Sequence, residues 1–269
     1  MALWQKKRIL VTVKAYPNPS KQYVETVCTA GITIDSKEWI RIYPVPFRDL
    51  DSKKKFKKYD IIEANIKKAT GDTRPESFKV DADTIRVIGN VGPENNWVKR
   101  NAYLIPLVSS SMCEIEERCK SNNLSLGMFK PRLPLKFTCE RINRPFKPGA
   151  LAGYSQLSLF NPIKKVLDRI PYVFRYEYHC QGVSTCRGHK QCILDWEIAE
   201  AYRNWKINYP IEKELLDKIR EKWLETMFAK DRNSYLMVGN QHRFKTFMVL
   251  GVYWPPAKGS AINQMEMAL

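Results

Sequence analysis

The stretch that decides the fold lies at residues 178–197 and reads YHCQGVSTCRGHKQCILDWE. Apolar and polar side chains alternate in the segment before it, residues 173–178, and the apolar run Cys192, Ile193 and Leu194 lies near its end. Two such segments around a turn-rich interval that contains glycine are typical of a β-hairpin. We therefore predict a hairpin whose tip carries several thiols and imidazoles.

Four side chains of this hairpin have the chemistry of a metal site. Three thiolates and one imidazole complete a tetrahedral zinc site. The spacing C-x5-C-x2-H-x2-C gives the predicted ligands as Cys180, Cys186, His189 and Cys192, with His179 as a substitute. The chain has no C-x2-C pair, the usual spacing of a structural zinc site. Buried thiols without a metal therefore compete equally with zinc, and a third alternative is an iron–sulfur cluster that recruits Cys113, Cys119 or Cys139.

Two carboxylates at the end of the stretch, Asp195 and Glu197, allow two interpretations. On a strand they would point to the same face, where they could share Mg²⁺ or Mn²⁺ in a nuclease or another nucleic-acid-modifying enzyme. The acid-x-Lys pattern that such nucleases carry is incomplete here, because Ile198 follows Glu197. The better supported alternative is that Asp195 caps a helix beginning at Trp196, with Glu197 in its first turn.

Net charge is the strongest global property of the chain. It has 269 residues, with 45 Lys and Arg against 28 Asp and Glu, a net charge of +17. This excess favours a polyanionic partner, and nucleic acid is the commonest one. An ordinary basic protein and a subunit that binds an acidic protein are the alternatives, and the sequence leaves DNA and RNA undecided.

Basic residues are concentrated in the middle of the chain, where residues 129–176 hold ten of them and two acidic ones. Prolines and aromatic side chains are interleaved with these charges, so the segment could neutralise phosphates and stack bases. An exposed linker with aromatic core anchors is the competing interpretation. Further cations occur at residues 53–58 and in the loop at residues 239–245. The predicted nucleic-acid contacts are Lys130, Arg132, Arg141, Arg144, Lys147, Lys164, Lys165, Arg169, Arg243 and Lys245.

Changes of pattern along the chain predict an α+β fold. Short alternating segments with turn signals indicate a small β-barrel-like domain over residues 1–95. A helical connector (96–128), the basic strip (129–172), an α+β domain with the Cys/His hairpin (173–258) and a disordered tail (259–269) follow. We also expect a short helix over residues 22–31, helices at 196–205 and 211–228, and strands at 235–238 and 247–253.

The remaining sequence signals concern cellular location and ligands. No apolar run is long enough to span a membrane, and the N-terminal apolar run is too short for a signal peptide. Seven cysteines, an odd number, without a secretion signal predict reduced thiols in the cytoplasm. No glycine-rich phosphate loop is present, which disfavours nucleoside triphosphates as ligands.

Overall fold

A computed structural model describes residues 3–20, 24–142, 170–241 and 246–257. The first half of the chain is a sheet of seven strands, whose bounds are β1 Gln5–Lys14, β2 Asn18–Ser20, β3 Val24–Thr33, β4 Trp39–Val45, β5 Asp60–Lys68, β6 Ser77–Val80 and β7 Arg86–Asn90. The strands run in the order β1-β3-β4-β6-β5, and β5 pairs with β1, which closes a five-stranded barrel. The predicted N-terminal β-barrel is confirmed.

Strand β1 is buried on both of its faces, which explains its continuous apolar run. Ile9 and Val11 point into the barrel, whereas Leu10 and Val13 belong to a second cluster formed with the C-terminal half. A β-bulge between Val11 and Val13 shifts the register of β1 against β3. Val13 therefore joins the cluster of Leu10 and not that of Val11. The barrel thus carries its own core and an apolar outer face on which the rest of the chain packs.

The helix expected over residues 22–31 is wrong, because this segment forms β3, the neighbour of β1. Its β-branched residues Val24, Thr26, Val27 and Thr29 favour strand over helix, and the two partner strands satisfy its backbone. Gly31 is needed where β1 approaches most closely, since a Cβ atom there would meet the Leu10 carbonyl oxygen.

The segment between the barrel and the hairpin is only partly helical. Its elements are α1 Glu94–Leu104, β8 Val108–Ser109, α2 Met112–Asn122, β9 Leu126–Phe129 and β10 Lys136–Arg141. Strands β8 and β9 belong to a four-stranded sheet of the C-terminal half. Part of the segment predicted as a helical connector is therefore part of the second half.

The described residues of the C-terminal half form two sheets and two helices. Its remaining elements are β11 Tyr172–Tyr178, β12 His189–Cys192, α3 Trp196–Trp205, α4 Glu212–Arg220, a π-helical segment Glu221–Thr226 that continues α4, β13 Tyr235–Asn240 and β14 Phe247–Tyr253. One sheet has the order β10-β11-β12 and the other β14-β13-β9-β8. The predicted hairpin, both helices and both final strands are confirmed, and the class is α+β. Within the described residues, no helix is long and apolar enough to cross a membrane.

A buried polar network fastens the barrel to the second half. Arg41 donates to the Ser125 hydroxyl over 2.9 Å, and the Ser125 backbone N–H donates to Glu76 over 2.6 Å. Arg74 donates to the Asn240 carbonyl oxygen over 2.9 Å. These side chains are at most 8% exposed, so each charge is buried with a partner and fixes the relative position of the two halves.

Candidate functional site

Four ligand atoms converge where α2 meets the β11–β12 hairpin. The Sγ atoms of Cys113, Cys180 and Cys186 and a ring nitrogen of His189 all lie within 4.8 Å of one another. Cys180 Sγ is 3.7 Å from Cys113 Sγ and 3.4 Å from His189 Nε2. Tetrahedral bonds of about 2.3 Å to sulfur and 2.0 Å to nitrogen place ligand atoms roughly 3.5–3.8 Å apart. The cluster therefore has the spacing of a closed four-coordinate metal site.

Local structure explains how each ligand reaches the cluster. Ser111 caps α2 by accepting from the Glu114 N–H over 3.1 Å, which places Cys113 in the first turn of the helix. Cys180 and Cys186 lie in the hairpin loop, and His189 begins β12. Gly188 has φ of +90°, a conformation in which other residues are strained, and this turn directs the chain into β12 at His189.

The imidazole of His189 is oriented from outside the cluster. Its Nδ1 atom lies 3.6 Å from a carboxylate oxygen of Glu116, while Nε2 faces the sulfur atoms. The Tyr178 ring stacks on the imidazole, with 5.4 Å between centroids. A carboxylate behind a ligating imidazole fixes the ring and raises its basicity, as second-sphere partners of metal sites do.

The three thiols of the cluster differ in acidity. Burial raises the pKa of Cys113 to about 12 and also raises the pKa of Cys180. Burial opposes ionisation of Cys186 as well, yet backbone N–H groups of Cys180 and Gly188 donate to its sulfur and lower its pKa to about 6. A bound cation would favour the thiolate form of all three.

Cys192 lies outside this cluster, and Cys113 takes the place predicted for it. Residues three apart on a strand point to opposite faces, so Cys192 cannot join His189 on β12. Cys192 pairs across the strands with Arg175 instead. His179, the predicted substitute, is exposed, and its Nδ1 atom lies 3.4 Å from the Cys186 carbonyl oxygen. Of the other proposed cluster cysteines, Cys119 accepts from Asn240, and Cys139 is exposed on β10.

The two carboxylates lie at the junction of the two halves. Asp195 accepts from the Glu197 N–H over 3.0 Å and caps α3, which confirms the capping interpretation. Backbone pairing of Ala15 with Asp195 brings this cap next to the barrel. Lys58 Nζ, on the barrel side, lies 3.2 Å from Glu197 Oε2 and 3.9 Å from Asp195 Oδ2.

Burial dominates the electrostatics of this acid–lysine group. The Asp195 side chain is 4% exposed, and its loss of hydration raises the pKa to about 7 against the opposing attraction of Lys58. Burial lowers the pKa of Lys14, whereas both carboxylates overcome the burial of Lys58 and raise its pKa. A cavity of about 330 Å³ opens here, and we call it the acid–lysine cavity. Its lining residues are Lys14, Lys57, Lys58, Asp195, Trp196, Glu197 and Glu200.

Family models match both halves of the chain. Residues 108–268, more than half of the chain, match a domain of unknown function (DUF8757). The chain belongs to the DUF8757 family. Residues 5–106 match a second domain of unknown function (DUF8758), which covers the barrel and α1. No curated protein matches the sequence. The Cys/His cluster lies wholly within the DUF8757 part, whereas Lys58 reaches Asp195 from the DUF8758 part.

The predicted nucleic-acid contacts are only partly described. Lys130 donates to Asn233 over 2.6 Å, Arg141 donates to Glu212 over 2.9 Å, and the Arg132 backbone N–H donates to the His179 carbonyl. The other predicted contacts lie outside the described residues, namely Arg144, Lys147, Lys164, Lys165, Arg169, Arg243 and Lys245.

Two aromatic residues of the predicted basic strip are not available for stacking. Phe129 and Phe137 are 0% and 8% exposed and belong to the core of the DUF8757 domain. They lie on β9 and β10, whose inward faces pack on the hairpin and the helices. For these residues the expectation of a stacking surface is corrected to that of core anchors.

The lysine run at residues 53–58 divides into paired and unpaired side chains. Lys54 lies near Asp51 and Asp83, Phe56 is buried, and Lys58 contacts the two acids of α3. Lys53, Lys55 and Lys57 are exposed, and within the described ranges none of them has a salt bridge. Three unpaired cations of this segment therefore face solvent, and Lys57 also lines the acid–lysine cavity.

Proposed function

We propose that this protein binds nucleic acid through the DUF8758–DUF8757 junction and that one zinc ion stabilises its DUF8757 domain. The observation that carries the first part is the exposed set Lys53, Lys55 and Lys57, of which Lys57 lines the same cavity as Lys14 and Lys58. Unpaired lysines on a chain of net charge +17 attract phosphates and release their counterions. Basic residues 130–169 are further candidate contacts.

The donor set supports zinc in preference to other metals. Three thiolates and one imidazole in a closed arrangement suit Zn²⁺, whereas magnesium and calcium select oxygen ligands. An iron–sulfur cluster is most often held by four cysteines. All seven cysteines are free thiols, and this supports a reducing compartment, which we propose to be the cytoplasm.

Nucleic-acid binding can be tested by fluorescence anisotropy with labelled single-stranded and duplex oligonucleotides at several salt concentrations. We expect Lys53→Glu/Lys55→Glu/Lys57→Glu to weaken binding by at least about tenfold and to lower the salt slope by about 2 to 3, since each lost phosphate contact contributes about 0.7–0.9. The control Lys120→Glu/Lys213→Glu/Lys230→Glu changes the net charge equally at exposed lysines elsewhere.

Equal losses in the two triple variants would contradict a localised surface, because only total charge would then matter. An unmodified protein that binds no oligonucleotide but retains an acidic protein would favour the alternative of a basic protein-binding subunit. Intact folding of each variant is checked by its melting temperature.

A metal-dependent nuclease is the second candidate, favoured by the contact of Lys58 with Asp195 and Glu197 inside a cavity. A carboxylate with a perturbed pKa in a cavity is a recurrent feature of active sites. Under this candidate Mg²⁺ or Mn²⁺ would bind the two carboxylates. Divalent-dependent cleavage that disappears in both Asp195→Asn and Glu197→Gln, with binding retained, would make the protein a nuclease.

A further inference from the structure

A second cavity, of about 560 Å³, lies beside the acid–lysine cavity, and five of its fourteen lining residues are aromatic. We call it the tryptophan cleft. The DUF8758 part contributes Tyr59 and Trp97, and the DUF8757 part contributes Trp205, Trp223 and Trp254. Four of the seven tryptophans of the chain thus line one cavity, although they come from separate elements. Its volume falls within the range of ordinary ligand sites.

The four indoles form two pairs, and each pair has one buried and one half-buried ring. Trp97 lies 5.7 Å from Trp254, and Trp205 lies 6.0 Å from Trp223, measured between ring centroids. Trp97 and Trp223 are buried, whereas Trp205 and Trp254 are half-buried. The Trp97 backbone is left-handed, with φ of +63°, which is a rare conformation for a bulky residue. Such departures are concentrated at binding sites.

The charges of the cleft are unbalanced. Its two acids are engaged, since Glu197 pairs with Lys58 over 3.2 Å and Glu200 pairs with Arg203 over 2.9 Å. Arg100 and Lys222 also line the cleft, and neither has a salt bridge within the part of the chain that the structure describes. The cleft therefore offers two cations to an anionic group.

Cations already occupy ring faces, which disfavours a cationic ligand. The Arg100 guanidinium lies 3.8 Å from the Tyr59 centroid, and Lys222 and Arg232 lie 4.7 and 5.0 Å from the Trp254 centroid. An ammonium ligand would meet this positive charge. A planar, uncharged ring that carries an anionic group fits both the indoles and the cations.

We propose that the tryptophan cleft takes one unstacked base of a bound single strand, with Trp205 as its stacking surface and Arg100 and Lys222 beside its phosphate. This inference rests on the proposed nucleic-acid binding. The exposed residues Lys53, Lys55 and Lys57 lie in the segment that leads to Lys58. Lys58 lines both cavities. The lysines bind the phosphate backbone of the strand, and the cleft binds one of its bases.

The test compares two fluorescein-labelled oligonucleotides with the same number of phosphates, one with bases and one abasic at its central positions. We expect the unmodified protein to bind the first about tenfold more tightly, which corresponds to one stacked base. Trp205→Ala should lose this preference at an unchanged salt slope, and Trp205→Phe should restore part of it. Trp4→Ala is the matched control, because Trp4 is exposed and lies outside the cleft.

A second measurement does not depend on the variants. 2-Aminopurine at the central position should lose fluorescence on binding to the unmodified protein, because stacking on an indole quenches it, and should keep it with Trp205→Ala. Equal affinity for the two oligonucleotides, or unchanged quenching by Trp205→Ala, would overturn the cleft assignment and leave nucleic-acid binding intact. Binding of neither oligonucleotide would overturn both proposals.

Discussion

The Nε2 atom of His189 lies 3.5 Å from the Sγ atom of Cys113, although 76 positions separate the two residues. This contact joins the first turn of α2 to the start of β12. Cys180 and Cys186 complete the cluster from the hairpin loop. A metal at this point would link two elements of the DUF8757 domain that no strand pairing joins directly in the described sheets.

The first prediction concerns metal content. Cys113→Ser should lose the zinc that the unmodified protein carries at about one ion per chain, because three ligands hold the ion far less tightly than four. Elemental analysis of protein purified without a metal-affinity tag gives the content, and thermal melts with and without chelator give the stability. Cys192→Ser, the control, should keep its zinc. Loss of zinc in Cys192→Ser, or metal-free unmodified protein with the same melt in chelator, would contradict the assignment.

The second prediction concerns the cap of α3. Asp195→Asn should change the free energy of unfolding little at about pH 4, where Asp195 keeps its proton in the folded state, because asparagine caps a helix about as well as aspartate. Asp195→Ala should cost about 1 kcal/mol or more, since the Glu197 N–H loses its acceptor. Urea denaturation at one temperature compares the two. A large loss in Asp195→Asn as well would mean that the charge next to Lys58 matters more than the cap.

The third prediction is a dependence of stability on pH. The pKa of Asp195 is about 7 in the folded protein and near 3.8 without the fold, so between these values the folded state keeps a proton that the unfolded state releases. The free energy of unfolding should therefore fall as the pH rises from about 4 to 7, by up to about 1.4 kcal/mol per pH unit. Asp195→Asn removes this contribution, so the difference between the two unfolding curves measures it. Parallel curves would show that Asp195 is ionised throughout.

The fourth prediction concerns the packing of α2 on β9. A Cβ atom on Gly127 would lie 2.7 Å from Cδ1 of the buried Ile115, which α2 presses against β9. Gly127→Ala should therefore displace the helix and cost about 1–3 kcal/mol of unfolding free energy. It should also weaken zinc retention in a chelator titration, because Cys113 lies on the same helix. Gly89→Ala is the control, since its nearest neighbour would be 3.9 Å away.

Local patterns were sufficient for the elements that the sequence predicts correctly. Period-two alternation before Tyr178 indicates β11, and apolar side chains at helical spacing indicate α3. Asp195 ahead of Trp196 has the form of a cap, and the structure has it as one. The local pattern of β3 wrongly predicts a helix, because the strand is stabilised by pairing with β1 and β4, which are distant from it in the sequence.

The sites depend on contacts between distant positions, which local patterns do not encode. The sequence indicates Cys113 only as a cysteine that an iron–sulfur cluster could recruit, since only the packing of α2 on the hairpin brings it within reach. The spacing of Cys192 in the chain favours it as a ligand, but its position on β12 turns it to the other face. The tryptophans of the cleft could be assigned to helix faces or strand ends, but nothing local indicates that they share a cavity.

The separation of Cys113 from Cys180, 67 positions, has a consequence for biosynthesis. At translation rates of about 5–20 residues per second, a ribosome needs roughly 3–13 s to add that much chain. Throughout this interval the nascent polypeptide exposes an early thiol without its partners. Cys113 on α2 can therefore meet the other three side chains of the cluster only after the hairpin has left the ribosome. The barrel has already been synthesised by then.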